Sequence, residues 1–270
     1  MKTSVLQRRS HYAVVTGASS GLGYAFAFQL AQIKKPLILV ALKGESLQEK
    51  ASLLKTKFGV DISTIEGDLT DPLVKSELQA LVAEKPTDLL ILNAGIGGSK
   101  PIEDASEPWL GKIIDLNVKA NALITFALLE NLKKAPDAVI LTVSSMAALT
   151  PMPFKAVYPA SKAFQSSWAM GLDAELSDHT RVRSLVLYPG GMLTNEDVQE
   201  RLKRQSWLGR KTILPVELVA QKALKGIEEG RSRIIPGWAN QLNYVLFKFI
   251  PWKFRSKALV RFMKTELDMH

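Results

Sequence analysis

Residues 12–23 read YAVVTGASSGLG, a short apolar run that ends in a turn containing three glycines. The run Tyr12–Thr16 predicts a buried strand, and the apolar spacing after the turn predicts a helix. A glycine-rich turn between a strand and a helix is the setting in which such a motif binds a dinucleotide. Gly17 permits the tight turn, while Gly21 and Gly23 let backbone amides approach a pyrophosphate at the helix N-terminus. The stretch therefore predicts a nucleotide-binding unit, with an ordinary turn as the alternative.

The alternation of apolar runs and amphipathic stretches continues along the chain. Short apolar runs bounded by turn residues predict strands at Tyr12–Thr16, Pro36–Ala41, Asp61–Glu66, Leu89–Leu92, Ala138–Val143 and Ser184–Tyr188. Apolar residues at three- and four-residue spacing predict helices at Gly23–Gln32, Leu47–Phe58, Pro72–Ala83, Trp109–Lys133 and Val157–Leu176. This repetition predicts an α/β fold, a single Rossmann-like doubly wound domain whose parallel sheet of about seven strands has helices on both faces. We place that domain at residues 1–237 and a basic amphipathic helical extension at residues 238–270.

The composition restricts the class of protein. The chain has 270 residues, of which 47% are hydrophobic, enough for one sizeable core. It contains no cysteine, which excludes disulfides and thiolate metal sites, and its three histidines show no ligand spacing, so we expect no metal site. Without a long apolar run or a signal peptide, the expected location is the cytoplasm. The net charge of +9 comes with no recognised nucleic-acid-binding module, so we expect no nucleic acid partner.

Four polar residues downstream of the glycine turn have the spacing of a carbonyl-reducing site: Asn117, Ser145, Tyr158 and Lys162. Tyr158 and Lys162 are four residues apart, so on a helix they project from one face. We expect the lysine cation to lower the pKa of the tyrosine, which makes the phenol an acid and base near neutral pH. Because Pro159 disfavours helical geometry at the residue before it, this helix is expected to begin within about four residues before Tyr158.

These motifs carry a resemblance to the short-chain dehydrogenase/reductase family, which extends from about Tyr12 to Gly237. The family's T-G-x-x-x-G-x-G turn is matched at Thr16–Gly23, its N-A-G at Asn93–Gly95 and its P-G-x-x-x-T at Pro189–Thr194. The family's active-site asparagine, serine, tyrosine and lysine fall on Asn117, Ser145, Tyr158 and Lys162. The resemblance thus covers most of the chain with several ordered motifs.

The resemblance implies a bound nicotinamide dinucleotide. Asp68 is then expected to contact the adenine, and the loop at Pro189–Thr194 to lie over the nicotinamide. The cofactor contacts that the family motifs imply are Gly17, Ser19, Ser20, Gly21, Leu22, Gly23, Asp68, Leu69, Asn93, Ala94, Gly95, Tyr158, Lys162, Pro189, Gly190 and Thr194.

Reduction of a ketone develops negative charge on its oxygen, so the site needs hydrogen-bond donors and a proton there. Tyr158 is expected to supply the proton and Ser145 to orient the oxygen. The resemblance implies that Lys162 binds the nicotinamide ribose and favours the tyrosinate, and that Asn117 holds a water or the helix geometry linking the lysine to solvent. Ser144 is the other candidate for the active-site serine. We prefer Ser145 because it lies thirteen residues before Tyr158, which is the family's usual spacing. The alternative to a catalytic role for Ser145 and Asn117 is hydrogen bonding of their side chains to nearby backbone groups.

The end of the second predicted strand bears on the choice between NAD and NADP. NAD sites usually place an Asp or Glu there to accept hydrogen bonds from the ribose hydroxyls. Leu42 stands in that place and Lys43 follows it, so we favour NADP(H) over NAD(H), with Lys43 as a contact of the 2′-phosphate. Glu45 nearby keeps NAD(H) open.

Two further segments bear on substrate and partners. Residues 195–212 mix apolar and charged side chains, as expected of a mobile lid or of a surface helix. From Trp238 onward, aromatic and apolar residues accompany lysines and arginines, which predicts either contact with an anionic membrane or a cover over the cleft or a partner subunit. The family resemblance implies a homodimer or homotetramer built on Trp109–Lys133 and Val157–Leu176.

These features together predict an NADP(H)-dependent oxidoreductase that interconverts a carbonyl and an alcohol on a moderately apolar small molecule, in the cytoplasm or at a membrane. The alternative is a catalytically silent dinucleotide-binding regulator or scaffold. The complete set of four polar residues argues against that alternative, because a sensor needs no proton donor.

Overall fold

A parallel sheet of seven strands lies at the centre of the computed structural model, which describes residues 4–193 and 211–250 and, beyond them, Lys253, Ser256, Leu259, Val260 and Met263. The strands of the sheet are β1 Tyr12–Thr16, β2 Leu37–Ala41, β3 Ile62–Glu66, β4 Thr87–Leu92, β5 Ala138–Val143, β6 Val182–Leu187 and β9 Arg233–Ile234. They lie side by side in the order β3-β2-β1-β4-β5-β6-β9, so the winding reverses between β1 and β4. Two further short strands, β7 Met192–Leu193 and β8 Leu214–Pro215, pair with each other.

Helices cover both faces of the sheet. They are α1 Gly21–Gln32, α2 Leu47–Phe58, α3 Pro72–Glu84, α4 Glu107–Ile114, α5 Asn121–Leu132, α6 Val157–Ser177, α7 Val216–Glu228 and α8 Trp238–Phe249. A π-helical segment, Asp115–Ala120, joins α4 to α5, and 3-10 turns occupy Ile102–Asp104 and Met146–Leu149. None of the described helices has the length and the apolar composition needed to cross a bilayer.

The two faces of the sheet carry separate apolar cores because side chains alternate along each strand. On β1, Ala13 and Val15 belong to the core shared with α1, α2 and α7, whereas Val14 belongs to the core shared with α3 and α5. Every residue of β2 is buried. Burial on both faces explains why these strands appear in the sequence as continuous apolar runs.

The predicted fold class is confirmed, and most predicted elements are present. The bounds of β1, β5 and α2 are as predicted, and the ends of the other predicted strands and of three of the helices move by one or two residues. The helix expected at Trp109–Lys133 is present as one continuous helical stretch from Glu107 to Leu132, in which Asp115–Ala120 is π-helical and joins α4 to α5. Helix α7 and strand β9 lie outside the predicted elements. The domain boundary after residue 237 stays a prediction, with α8 beginning at Trp238.

The start of helix α6 follows from its proline. The helix begins at Val157, one residue before Tyr158, which confirms the expectation from Pro159. Pro159 lies in the first turn, where its missing N–H costs no helical hydrogen bond. The chain enters the helix through a bond from the Tyr158 amide to the carbonyl oxygen of Lys155 at 3.1 Å.

A buried ion cluster ties the N-terminal segment to the amino ends of the strands. Lys35 and Asp88 are both fully buried, with the lysine nitrogen 2.6 Å from the Asp88 carboxylate. Arg8 binds the other oxygen of Asp88 at 2.5 Å and also pairs with Asp137. Lys35 donates in addition to the carbonyl oxygen of Val5 at 2.6 Å. Since buried charges are costly unless paired, these contacts hold the segment before β1 against the sheet.

Candidate active site

A cleft of about 560 Å³ opens at the carboxyl ends of the strands. Its lining includes Gly17 after β1, Asn93 after β4, Ser144 after β5 and Pro189 after β6. The cleft therefore lies where the winding of the sheet reverses, which is the usual ligand position in open parallel sheets.

The cleft brings most of the predicted site residues together. Those that line it are Gly17, Ser19, Ser20, Gly21, Leu22, Asp68, Leu69, Asn93, Ala94, Gly95, Ser145, Tyr158, Lys162, Pro189 and Gly190. Gly23 and Asn117 lie directly behind this lining. Lys43 is exposed and lies outside the lining. Thr194 falls outside the described residues, as does the predicted lid except for its last two residues.

The glycine turn has no room for side chains. Gly17 has a φ of +64°, a left-handed conformation that favours glycine. A Cβ at Gly23 would lie 1.9 Å from the carbonyl oxygen of Gly17, so only glycine lets the start of α1 approach the turn this closely. Asn93 supports the turn from β4 by donating to the carbonyl oxygens of Thr16 at 3.0 Å and of Gly17 at 3.2 Å. The resulting concave turn, followed by a helix N-terminus, suits a pyrophosphate.

The loop after β3 contributes Asp68 and Leu69 to the lining of the cleft. The Asp68 carboxylate accepts from the amide of Thr70 at 2.9 Å and from its hydroxyl at 2.8 Å, which fixes the loop. Leu69 is buried and belongs to the core beside α3. This pairing of a fixed carboxylate with an apolar side chain suits the edge and the face of an adenine.

Asn117 lies within the π-helical segment and is fully buried. Its side-chain oxygen accepts from the amide of Ile96 at 2.9 Å, and its nitrogen donates to the carbonyl oxygen of the same residue at 2.8 Å. The nitrogen also donates to Ser161 Oγ at 2.9 Å. The side chain thus fastens the loop after β4 to helix α6. A π-helical segment frequently marks a functional site, and here it positions this amide.

Lys162 is 4% exposed and its ammonium has two acceptors among the described residues. Nζ donates to the carbonyl oxygen of Val143 at 2.9 Å and to Gln165 Oε1 at 2.9 Å. Burial lowers the pKa of Lys162 to about 8. A Cβ at Gly95 would lie 3.2 Å from this nitrogen, so the loop passes directly beside the ammonium.

Gln165 is a site residue that the sequence reasoning missed. Its side chain links Lys162 to the main-chain oxygen of Asn117, to which it donates at 2.8 Å. The sequence spacing indicates this contact, because Gln165 lies three residues after Lys162 on a helix and is therefore its neighbour on the same face.

The environment of Tyr158 corrects the expected direction of its pKa. Burial raises the pKa of the phenol above its ordinary value, and a side-chain hydrogen bond with Ser145 offsets part of the rise. The prediction that Lys162 lowers this pKa is wrong for the chain alone, because the ammonium lies 5.9 Å from the ring centroid and is held by other acceptors. The ring packs against Gly97, where a Cβ would lie 2.9 Å from Cδ2.

The two adjacent serines have different surroundings. Ser145 forms the hydrogen bond with Tyr158, and its Oγ also accepts from the amide of Ala147 at 3.1 Å. Ser144 Oγ donates to the carbonyl oxygen of Lys162 at 2.7 Å and is buried. Ser144 thus holds β5 to α6, and Ser145 faces the phenol.

A carboxylate and a lysine surround Ser19 at the adenosine end of the cleft. Glu45, which lines the cleft, binds Ser19 Oγ through its carboxylate. Lys50 donates to the carbonyl oxygen of Ser19 at 2.5 Å. Glu45 thus supplies a carboxylate to the cleft lining beside this loop, and the cation in contact with the loop is Lys50, where the sequence indicated Lys43.

Two lysines line the opposite end of the cleft and were missed in the sequence. Lys112 on α4 lies one turn before Leu116, which also lines the cleft. Lys155 lies in the loop before α6, and its Nζ is 5.6 Å from the centroid of the Tyr158 ring. Apolar surface between them comes from Ile96 and Leu116. A molecule with an apolar part and an anionic part would find both kinds of partner here.

A very-long-chain 3-oxoacyl-CoA reductase of Kluyveromyces lactis is 35% identical to this chain over 185 residues, which cover 65% of the chain and 54% of that relative. The chain thus spans about half the length of this relative. Among solved structures, a short-chain dehydrogenase of Sphingobium yanoikuyae in complex with NADPH has a TM-score of 0.74 at 23% identity, covering 89% of this chain and 96% of that one. A short-chain dehydrogenase/reductase of Burkholderia phymatum in complex with NAD has a TM-score of 0.76 at 23% identity, covering 88% and 92%. At these identities the solved structures show the shared fold.

The model of the family described as short chain dehydrogenase matches residues 11–205. That range contains the glycine turn, the π-helical asparagine, and the serine, tyrosine and lysine that meet in the cleft. This chain belongs to the short-chain dehydrogenase family of oxidoreductases.

Proposed function

We propose that this protein is an NADP(H)-dependent reductase that converts the ketone of a 3-oxoacyl thioester with an apolar acyl chain to a secondary alcohol. The proposal rests on one observation above all. Tyr158, Ser145 and Lys162 converge at one end of a cleft whose other end is formed by the glycine turn. The relative from Kluyveromyces lactis is named for this class of reaction, which supports the choice of substrate.

The residues of the cleft fit a nicotinamide dinucleotide. The glycine turn and the N-terminus of α1 would hold the pyrophosphate, because Gly17 and Gly23 leave backbone amides accessible there. Asp68 and Leu69 would bind the adenine, and Lys162 the nicotinamide ribose. The cofactor supplies the hydride when it is bound.

The chain's own side chains act on the carbonyl oxygen. Ser145 would orient that oxygen by a hydrogen bond, and Tyr158 would give it a proton while a C–H bond forms at the carbonyl carbon. The ketone thus gains one hydride and one proton and becomes a secondary alcohol. Asn117 takes part indirectly, since it fixes the loop at Ile96 and the start of α6.

The shifts in the pKa values of Tyr158 and Lys162 suit the reduction of a ketone. The raised pKa of Tyr158 keeps the phenol protonated near neutral pH, as a proton donor must be. With a pKa of about 8, most of the Lys162 population is cationic at neutral pH. The cationic ammonium would then bind the ribose hydroxyls of the dinucleotide as a hydrogen-bond donor.

The lining of the cleft favours a substrate with both apolar and anionic parts. Ile96 and Leu116 offer apolar surface to an acyl chain. Lys112 and Lys155 would attract the phosphates of a coenzyme A ester. A neutral ketone would contact only the apolar surface, whereas a coenzyme A ester would contact the two lysines as well. The lysines therefore distinguish coenzyme A esters from neutral ketones as substrates.

For the cofactor we propose NADP(H) over NAD(H). The position after β2 is Leu42, which has no carboxylate to bind the ribose hydroxyls of NAD. Lys43 and Lys50 supply positive charge near that end of the cleft. The negative charge of Glu45 opposes this assignment. For a 2′-phosphate to bind, the Glu45 carboxylate must stay bound to Ser19 or move away from the phosphate.

For assembly we propose a homodimer or homotetramer formed through α5 and α6. Both helices expose large apolar side chains to solvent, including Phe126 and Phe164. A second copy of the chain would cover them. Since the chain has no cysteine, we propose a reducing compartment such as the cytoplasm as its location.

The test compares coenzyme A esters with neutral analogues. The purified chain and NADPH are assayed with 3-oxoacyl-CoA esters of increasing chain length and with the matching ethyl esters. Tyr158→Phe should reduce kcat by about 10²- to 10⁴-fold while NADPH still binds. Lys112→Ala combined with Lys155→Ala should raise KM for the coenzyme A esters by roughly threefold to tenfold and leave the ethyl esters unchanged.

Two outcomes would contradict the proposal in different ways. Equal KM changes for both kinds of ester would remove the thioester assignment and leave a general ketone reductase. NADPH binding without turnover of any ketone would favour the catalytically silent dinucleotide-binding protein.

A further inference from the structure

Helix α8 carries an exposed row of apolar side chains, which we call the apolar stripe. At 3.6 residues per turn its members lie within an arc of about 100° on the helix circumference. The stripe consists of Trp238, Leu242, Val245, Leu246 and Phe249, and all five are exposed. A row of this kind on one helix face marks an interaction surface.

The opposite face of α8 is fastened to the protein, so the stripe cannot turn inward. Asn240 is buried and donates to the carbonyl oxygens of Thr212 at 3.0 Å and of Pro236 at 2.9 Å. Gln241 donates to the carbonyl oxygen of Ile235 at 3.0 Å. These bonds fix the rotation of the helix about its axis.

The charge around the stripe is positive. Between Trp238 and Lys264 the sequence has no acidic residue and contains six cations, Lys248, Lys253, Arg255, Lys257, Arg261 and Lys264. Arg233 lies at the side of the helix, where it donates to the hydroxyl of Tyr244 at 3.1 Å. An apolar helix face in a basic segment is complementary to an anionic lipid surface, which offers acyl chains and negative headgroups together.

Helix α8 contacts the active site through the face opposite to the stripe. Asn240 packs against Gly190 of the cleft lining, where a Cβ would lie 2.6 Å from Oδ1. Helix α8 also contacts the 3-10 turn Met146–Leu149, which begins directly after Ser145. A surface bound to the stripe would therefore lie one helix diameter, roughly 10 Å, from this part of the cleft.

We propose that α8 docks the protein on an anionic phospholipid bilayer. The helix lies in the plane of the interface, with the apolar stripe at the level where headgroups meet acyl chains. The docking stands on the stripe and the charge alone. Its consequence, that an apolar acyl substrate reaches the cleft from the bilayer, rests on the proposed function.

The first test measures binding of the full chain to vesicles by co-sedimentation. One set of vesicles contains phosphatidylcholine and phosphatidylglycerol, and the other contains phosphatidylcholine alone. We expect binding to the anionic vesicles, weakened by added salt, and much weaker binding to the neutral ones.

A matched pair of substitutions locates the surface. Phe249 on α8 is 78% exposed and Leu73 on α3 is 76% exposed, so both are large apolar side chains at nearly the same exposure, and Leu73 lies outside the helices proposed to form the oligomer. Phe249→Ser should weaken vesicle binding by about tenfold or more, since it removes one of the apolar groups that enter the interface. Leu73→Ser should leave vesicle binding unchanged.

The remaining outcomes decide against the proposal. Absence of binding to anionic vesicles, or equal loss in both variants, overturns it. If Phe249→Ser converts a native oligomer to monomer and the native chain ignores vesicles, the stripe is an interface between copies. Activity of Phe249→Ser on a short, water-soluble 3-oxoacyl-CoA ester should equal that of the native chain, which separates failure of docking from failure of the reductase assignment.

Discussion

Gln165 Oε1 lies 2.9 Å from the ammonium nitrogen of Lys162, one turn away on helix α6. The other end of the amide donates to the main-chain oxygen of Asn117 at 2.8 Å, so the orientation of the amide is determined by its partners. Val143 supplies the second acceptor of the ammonium through its carbonyl oxygen. Because the lysine is buried, each acceptor has a large effect on whether it carries its proton.

Substitution of Gln165 should move the pH dependence of the reaction in two opposite directions. The pKa of Lys162 is about 8, so we expect kcat/KM for ketone reduction to fall as pH rises through that value. Gln165→Glu places a carboxylate beside the ammonium, raises its pKa and should move this fall upward by about one pH unit. Gln165→Leu removes an acceptor, lowers the pKa and should move the fall downward. The measurement is a pH profile of kcat/KM for each variant.

If Gln165 has only a structural role, the pH profiles should differ from this expectation. Both variants would then lose activity by a similar factor at every pH, with the alkaline fall unmoved. A thermal melt of each variant shows whether the fold is retained, since loss of a buried hydrogen bond costs about 1 kcal/mol.

The adjacent serines provide a matched comparison of catalysis with packing. Ser145→Ala removes the hydroxyl that bonds Tyr158 and should lower kcat by about 10²-fold or more, with little change in the melting temperature. Ser144→Ala removes the bond to the Lys162 carbonyl oxygen and should lower the free energy of unfolding by about 1 kcal/mol, with a smaller effect on kcat. Steady-state kinetics and urea denaturation of both variants measure the two effects. If Ser144→Ala lowers kcat more than Ser145→Ala does, the assignment of the two serines is reversed.

The sheet could be predicted from sequence because its strands are buried on both faces. Such strands form continuous apolar runs, and β1, β5 and α2 were predicted with their observed bounds. The π-helical turn within Trp109–Lys133 could not be predicted, because the amphipathic pattern continues through Asp115–Ala120. The π-helical turn is stabilised by tertiary contacts of Asn117 with Ile96 and Ser161, which the local pattern does not encode.

The site was predictable where it depends on local spacing. Tyr158 and Lys162 share a helix face, so their proximity followed from the numbering. The pKa of Tyr158 depends on burial, a property of the whole fold, and its direction was therefore missed. Lys112 and Lys155 belong to different elements, and only the fold brings both to the cleft.

Glu45 should act against the 2′-phosphate of NADPH. Its carboxylate lines the cleft and binds Ser19, so a bound phosphate would meet a negative charge. We expect Glu45→Gln to tighten NADPH binding by roughly threefold to tenfold, because the amide keeps a bond to Ser19 without the charge. NADH binding should change by less. Fluorescence titration of both cofactors measures the two dissociation constants.

Lys43→Ala and Lys50→Ala complete the comparison at this end of the cleft. If the enzyme uses NADP(H), removal of the cation that faces the phosphate should weaken NADPH binding and leave NADH binding nearly unchanged. Weaker NADH binding in Glu45→Gln, with NADPH unaffected, would instead assign Glu45 to the ribose hydroxyls and the enzyme to NAD(H).

Removal of one partner of the buried pair Lys35–Asp88 should destabilise the protein, because burial disfavours each charge and raises the pKa of Asp88 as it lowers that of Lys35. Both side chains are fully buried, so Asp88→Asn leaves the ammonium without its anion and should lower the free energy of unfolding by about 3 kcal/mol at neutral pH. Burial lowers the pKa of Lys35 from its ordinary value of 10.5, and loss of the carboxylate removes the charge that opposes this shift. Between the lowered folded-state pKa of Lys35 and its ordinary value of 10.5, the unfolded chain binds more protons than the folded one, so the variant should recover stability relative to the native chain as pH rises through that window.

Urea denaturation at neutral pH and near the lysine's ordinary pKa measures both the loss and its pH dependence. The control is Glu130→Gln, which breaks the exposed pair between Lys133 and Glu130 at 2.8 Å and should change the free energy of unfolding by less than about 0.5 kcal/mol. A loss in Asp88→Asn that is equally small would mean that the carbonyl oxygens of Val5 and Arg8 satisfy the ammonium without the carboxylate. A loss that does not shrink at high pH would mean that the missing energy comes from Arg8, which stays charged and also binds Asp88.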